Sequence, residues 1–479
     1  MEKTVVSDRK RILIFINIVI SCVASSLLAT ALTTAMLPIT EDLGVPVTTG
    51  QWLTSGYSLV MAIVMPLSAF LITRFRTKRL YAGAILLFII GLLISGLSVN
   101  FAMMMFGRVV QACGGGMLTS MAQVIILSIF PAERKGTAMG WYGLSIGAAP
   151  VIAPTLAGLL VDSVGWRMIF FLSMIIMIIS FIYCLLVMAD VLDTEKKKFD
   201  ISSFVMSALA FGGITFGIGN IGTYTVKSAM VLVPLIVGIV FAAIFSTRQL
   251  HLDKPFLDVG ILRNRDYAVS VIGSMLLYLN VYGGTVILPL YVQQALGQSA
   301  TLAGLLTLPG SLCAAVVSPF AGRIYDRLGI RVLFLAGSIG LLISNALMIP
   351  ITVDTGLWAA IVLNIVRNVA TSCLLMPLVT WGASTVSLEK TSHATALLTS
   401  LRTISGSLGT AIWVAVMTIT AANFGADMSV PSPSMMHGVN MAFFGMMLTD
   451  IALLVMGLWS TSKRFRSKKP PVLEGEQAA

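Results

Sequence analysis

Apolar residues in this chain come in runs of roughly twenty, the length that carries a helix across a bilayer, and short polar stretches separate them. The pattern predicts fourteen spanning helices, over 12–37, 51–73, 79–99, 102–130, 137–161, 167–189, 201–221, 228–247, 268–291, 301–322, 331–351, 356–381, 399–422 and 439–460. The polar stretches alternate in charge. Lys3, Arg9, Lys10 and Arg11 precede the first span, and Arg74, Arg76, Lys78 and Arg79 follow the second. Every later connection from an even to an odd span carries cations too, as does the tail, which holds Lys463, Arg464, Arg466, Lys468 and Lys469. Together these places account for 26 of the 31 Lys and Arg residues, whereas the opposite loops hold Arg167 and Lys227. The positive-inside rule therefore puts both termini in the cytoplasm.

An internal repeat is superimposed on this pattern. Gly322-Arg-Ile-Tyr-Asp326-Arg327-Leu-Gly329-Ile-Arg331 lies after the tenth span, and Ala69-Phe-Leu-Ile-Thr73-Arg74-Phe-Arg76-Thr-Lys78 after the second is a worn copy of it. Arg108 and Met117 in the fourth span match Arg367 and Met376 in the twelfth, and Ser145-Ile-Gly147-Ala-Ala149 matches Ser407-Leu-Gly409-Thr-Ala411. Each pair lies eight spans apart, which predicts six helices, two extra, then six more, the construction of two-bundle transporters with their site between the halves. The expected units are an N-terminal bundle over 1–189, an insert over 190–267, a C-terminal bundle over 268–462 and a basic tail over 463–479.

Composition narrows the class. A chain that is 57% hydrophobic and 11% charged is no soluble globule, since soluble domains carry about a quarter charged residues. The net charge of +11 sits in topology-setting loops, which argues against nucleic acid as a partner. The first apolar run is span-length and lacks a processing site, so no cleaved signal peptide is expected. Cys22, Cys113, Cys184, Cys313 and Cys373 all fall in apolar stretches without metal or disulfide spacing. His251, His393 and His437 are expected in loops at the surface. No nucleotide-binding loop and no cluster of nucleophile, base or metal ligands occurs, so neither an enzyme nor a cofactor is expected.

The fifth span has an unusual composition: Gly136, Gly140, Gly143, Gly147 and Gly158 recur with small residues, and Pro150 and Pro154 sit four apart. Small residues on one face allow close helix approach, and prolines bend a helix, which suits a hinge between bundles. Pro150, Pro154 and Gly158, followed by Asp162, Trp166 and Arg167, resemble the antiporter motif of fifth helices in major facilitator drug exporters, with Ala149, Ala153 and Ala157 at places usually held by glycine. The 6+2+6 layout, with Leu288-Pro-Leu-Tyr-Val-Gln-Gln and Trp166-Arg-Met-Ile-Phe170, is similar over nearly the whole chain to the fourteen-spanner drug:proton antiporters of the EmrB/QacA type. Within that family Phe70-Leu-Ile-Thr-Arg-Phe75 most resembles the lincomycin-resistance exporters.

The resemblance implies an all-α major facilitator fold and a proton-driven, alternating-access exporter of amphipathic drugs, acting as a monomer in a bacterial cytoplasmic membrane. Export of a lipid or metabolite on the same fold is one alternative, and a non-transporting sensor or assembly partner is another. In such a reading Gly322, Asp326, Arg327, Gly329 and Arg331 form a cytoplasmic gate latch, and Gly147, Pro150, Pro154 and Gly158 the hinge. Arg108 matches the family's coupling arginine, while the first-helix acid of the family is replaced by Ala29. Asp450, deep in the last span, is then the expected proton carrier, with Asp162 in reserve, because burial can raise a carboxylate's pKa into the working range. Expected cavity residues are Gln51, Trp52, Tyr57, Gln123, Tyr142, Tyr278, Asn280, Tyr282, Gln293, Asn364 and Arg367.

Overall fold

A computed structural model of the chain describes residues 7–460 apart from 51, 193, 195–198, 222–226, 253–254, 299 and 425–431. Within its helices, the side chains of 29, 30, 33, 34, 37, 47, 48, 150–152, 154, 155, 158, 162, 300, 301 and 388 also lie outside the described set.

Fourteen long helices follow one another: α1 Asp8–Thr34, α2 Trp52–Arg74, α3 Thr77–Gly96, α4 Phe101–Ile129, α5 Lys135–Val164, α6 Arg167–Val187, α7 Ile201–Gly219, α8 Ala229–His251, α9 Arg265–Leu290, α10 Ala300–Leu328, α11 Ile330–Met348, α12 Leu357–Ser384, α13 Thr391–Phe424 and α14 Pro433–Ser460. No strand occurs among the described residues. Thirteen are long and apolar enough to cross a membrane over their described residues, and α5, whose side chains are only partly described, is the fourteenth. The expected order therefore stands, with three boundaries moved by six residues or more, one of them the start of α14 at Pro433 rather than 439. The tenth helix runs six residues past the expected 322, to Leu328, and ends at Gly329, whose positive φ of 73° makes the turn into α11. The thirteenth begins at Thr391 rather than 399, because Thr391 to Ser400, polar enough to read as a loop, are buried between neighbouring helices.

Packing repeats along with the sequence. α1 packs on α5 and α6, α2 on α4, and α3 on α4 and α6; eight helices later, α9 packs on α13 and α14, α10 on α12, and α11 on α12 and α14. The two extra helices, α7 and α8, pack on each other, and α7 leans on α2 and α13. Their close approach rests on glycine: a Cβ on Gly213 or Gly238 would meet the backbone of the opposite helix at 3.0 Å or less. At the cation-rich end, Asp200 caps α7 and pairs with Arg248 of α8 at 3.0 Å.

The two bundles meet through α5 against α10 and α2 against α13. One apolar cluster crosses between them, drawing Phe70, Ile125 and Met139 from one side and Met376, Val379 and Leu398 from the other. These C-bundle residues lie toward the loop that carries Lys390. At the far ends of the C-bundle helices, Ile287, Tyr291, Trp413 and Phe443 form a separate cluster with no N-bundle member. Among the described residues, the apolar contacts that join the halves thus gather at the cation-rich ends.

Candidate functional site

The joined end is closed by a latch. Asp326, in the last turn of α10, accepts from the backbone N–H of Gly136 and of Thr137, each at 2.7 Å, and from the Thr137 hydroxyl at 2.6 Å. Its carboxylate therefore caps the N-terminus of α5 in the opposite bundle, where free N–H groups and the helix dipole favour negative charge. The sequence lets this acid cap a helix and pair with neighbouring cations; the cap is present, whereas Arg327 and Arg331 are both exposed and no ion pair among the described residues includes them. Glycines let the latch close. A Cβ on Gly322 would strike the Gly136 carbonyl oxygen, and one on Gly140 would lie 2.6 Å from the Ser318 carbonyl oxygen. Ser318 adds a hydrogen bond to the Gly140 carbonyl at 2.9 Å. The N-half copy makes no such contact. Thr73 bonds back to Phe70 of its own helix, and Lys78 ties α3 to the Leu185 carbonyl of α6.

Closure on the α2–α13 side comes from the connection after α8 instead. Phe256 stacks with Phe70 at 5.8 Å, the Asp258 carboxylate reaches Lys390 at 2.8 Å, and its backbone N–H donates to His393. His393 is accordingly buried in the first turn of α13, not at the surface, and His437 lies in α14 with its ring 4.3 Å from that of Phe424.

Between the bundles, past the latch, sits Arg402 of α13. It is 4% exposed, its guanidinium lies 4.9 Å from the centre of the Tyr278 ring, and the Tyr282 ring of α9 packs one turn further along α13, against Gly406. Tyr278 and Tyr282 stack with centroids 5.5 Å apart, and Tyr282 keeps 46% of its surface exposed. One turn before Arg402, Thr399 donates to Gln123 of α4 at 3.4 Å, across the bundle interface. Gln123, Tyr278 and Tyr282 thus lie along one polar and aromatic seam beside α13, while the hydroxyl of the fully buried Tyr142 meets Cys22 of α1 at 3.8 Å. Arg402, the residue that joins them, was not among those expected. A late boundary for the thirteenth span leaves it at a helix edge in the sequence pattern; in the structure it is three turns inside.

The other two buried arginines are tied into their own bundles. Arg108 donates to the Leu53 carbonyl at 3.0 Å and to Gln111 at 2.6 Å, with its guanidinium 4.1 Å over Tyr57; Gln111 in turn donates to Ser95. Arg367 donates to the carbonyls of Asn280 and Val281 at 2.8 and 3.2 Å, lying flat against Gly284, where any Cβ would collide with it. Asp450 of α14 is the one buried acid among the described residues. Asn280 and Asn345 donate to it at 2.6 and 2.7 Å, and Arg367 is its electrostatic partner. Arg108 and Asp450 belong to different bundles, so the cation whose charge acts on Asp450 is Arg367.

Several other expectations shift in place. Trp52 turns toward the insert and packs on Phe216 of α7 at 5.3 Å. Tyr57, Asn280 and Arg367 serve contacts inside a bundle, and Asn364 is buried, reaching toward the Leu306 carbonyl of α10 at 3.4 Å. Gln293 is exposed beyond the end of α9. Gly147 has open space around its Cβ position. Gln51 lies outside the described residues, as do the side chains of Pro150, Pro154, Gly158 and Asp162, although α5 is helical through all four.

Comparison with known proteins gives a consistent result. The sequence profile of the Major Facilitator Superfamily matches residues 14–410, and again 270–474. The chain is 34% identical over 441 residues to the protein named Uncharacterized MFS-type transporter YcnB of Bacillus subtilis, covering 92% of each. It is 34% identical to the Lincomycin resistance protein LmrB of Listeria monocytogenes, covering 89% of this chain and 92% of that one. Among solved structures, the proton:xylose symporter XylE superposes with a TM-score of 0.62 at 13% identity, over 95% of this chain and 96% of that one, a likeness of fold.

Proposed function

The chain belongs to the Major Facilitator Superfamily, and we propose that it is a proton-coupled exporter of amphipathic small molecules in the cytoplasmic membrane of a bacterium. The observation that carries this reading is the seam of Gln123, Tyr278, Tyr282 and Arg402 between bundles that are latched together at the cation-rich end. With both termini and the cation-rich loops cytoplasmic, the latched end faces inward and the seam opens outward. Release of Asp326 from α5 then permits the opposite opening, with Gly322 and Gly329 allowing close approach and turn, and Arg327 and Arg331 fixing that end at the lipid surface. Gly147, Pro150, Pro154 and Gly158 supply the bend in α5. The working units are the bundles over 1–189 and 268–462, with the insert over 190–267 packed outside them, and one chain suffices.

Asp450 carries the proton, and Arg367 is its counter-charge. Protonation removes the carboxylate that Asn280 and Asn345 now hold, which loosens α9 and α11 from α14. Arg108 fixes α2 against α4. Asp162 is the alternative carrier.

Everted membrane vesicles test this directly. On energisation they should accumulate lincomycin or a lipophilic dye only when the protein is present, and a protonophore should discharge the accumulation. Accumulation that survives the protonophore would remove proton coupling; none at all with a broad panel of compounds would remove export.

A further inference from the structure

We propose that Arg402 is a receptor for an anionic group, so that the molecules carried are acidic amphiphiles: a carboxylate, sulfonate or phosphate head on an apolar body. The inference rests on the exporter reading for the word carried, and on the geometry alone for the word receptor.

The chain supplies its own comparison. Arg108 and Arg367 are as buried as Arg402, and each directs its guanidinium into carbonyl or amide oxygens. Arg402 goes further: Arg367 leaves its Nε unpaired but seats its Nη2 on two carbonyls, whereas Arg402 has no acceptor for either its Nε or its Nη1 among the described residues. A buried cation left unpaired is strongly unfavourable, and a guanidinium does not relieve this by losing its proton. No carboxylate forms an ion pair with it among the described residues; the contact it makes there is with the ring of Tyr278. The nearby side of the seam carries further unused donors, the Nε2 of Gln123 and the hydroxyls of Thr395 and Ser400.

The repeat sharpens the point. Aligning Ser145-Ile-Gly147 with Ser407-Leu-Gly409 places Arg402 opposite Gly140. In α5 that position is bare and packs directly on the backbone of α10. In α13 the same position holds a side chain too large for such packing, with its donors left open. A planar fork of N–H groups matches the two oxygens of a carboxylate or phosphate. The stacked Tyr278 and Tyr282, the latter half exposed, give a wall for an apolar body.

The test uses two probes of nearly the same shape, 1-anilinonaphthalene-8-sulfonate and neutral N-phenyl-1-naphthylamine, titrated into the purified full chain in neutral detergent with micelle-only controls. The sulfonate should bind the unaltered protein at least tenfold more tightly than the neutral compound. Arg402→Gln should weaken the sulfonate at least tenfold and leave the neutral probe within twofold, and Arg402→Lys should recover part of the loss. Equal weakening of both probes would mean a packing role, and an unchanged sulfonate affinity would mean no receptor; either overturns the proposal. Proteoliposomes separate it from the exporter reading. If the neutral probe is pumped while the sulfonate does not depend on Arg402, export stands and the anion receptor falls. If sulfonate binding depends on Arg402 but neither probe is pumped, the reverse holds.

Discussion

Asp450 shows what one residue can reveal before folding and what it conceals. A carboxylate in the middle of an apolar run is costly, and that alone marked it. Its partners were not legible, because Asn280, Asn345 and Arg367 come from three other helices that only the packing of the C bundle brings together. Asp450→Asn should abolish pH-gradient-driven accumulation while leaving counterflow exchange at half or more of its normal rate. An asparagine there offers one acceptor oxygen where two amide donors now point, and it leaves Arg367 without a counter-charge. Some loss of thermal stability should therefore accompany it, since leaving a buried donor without its acceptor costs about 1–3 kcal/mol. Full uphill pumping by the variant would move the proton to another group. Arg402 is the opposite case. Of the 31 Lys and Arg residues, loops and the two recognised interior positions account for all but one, and that one is Arg402. The signal was a count, obscured by a helix boundary drawn eight residues late.

At the scale of elements, the turn motif of α10 was readable as a latch, while its receiver was not. The motif lets the acid cap a helix as well as pair with cations, but does not say which helix: the one it caps begins almost two hundred residues earlier, with the Thr137 hydroxyl added. Hydrogen bonds to charged groups contribute about 1.5–3 kcal/mol each, so three of them can hold two bundles together and still be released. Asp326→Ala should favour opening at the cytoplasmic end by tenfold or more. A cysteine at Ser318, which is 7% exposed beneath the latch, would then react from the cytoplasmic side at least ten times faster. An unchanged rate would assign the closure to glycine packing alone. Replacing Pro150 and Pro154 together with alanine should lower export at equal expression, since helix α13 keeps the same place in the repeat with Ile412 and Val416. Undiminished export by that double variant would remove the hinge.

For the whole molecule, the alternation of apolar runs and the charge bias carried the architecture, and the packing repeats it eight helices apart. The same bias makes the orientation testable at the two ends of a single helix. α10 has 29 residues, about 43 Å at 1.5 Å per residue, enough to cross the bilayer and its headgroups. Gln298 is exposed just before it and Arg327 is exposed in its last turn. Gly297 would be a poorer position, because its φ of +67° strains any side chain, and Ser432 is buried against the end of α9. The native Cys22 and Cys184 are buried within their bundle, and Cys113, Cys313 and Cys373 lie within helices, so background labelling should be low. In intact cells a membrane-impermeant maleimide should modify Gln298→Cys and leave Arg327→Cys untouched until the membrane is opened. If the pattern is reversed, the chain sits the other way up and the latch faces outward. The seam holding Arg402 would then open to the cytoplasm, and the same geometry would describe a protein waiting to load rather than one that has just released.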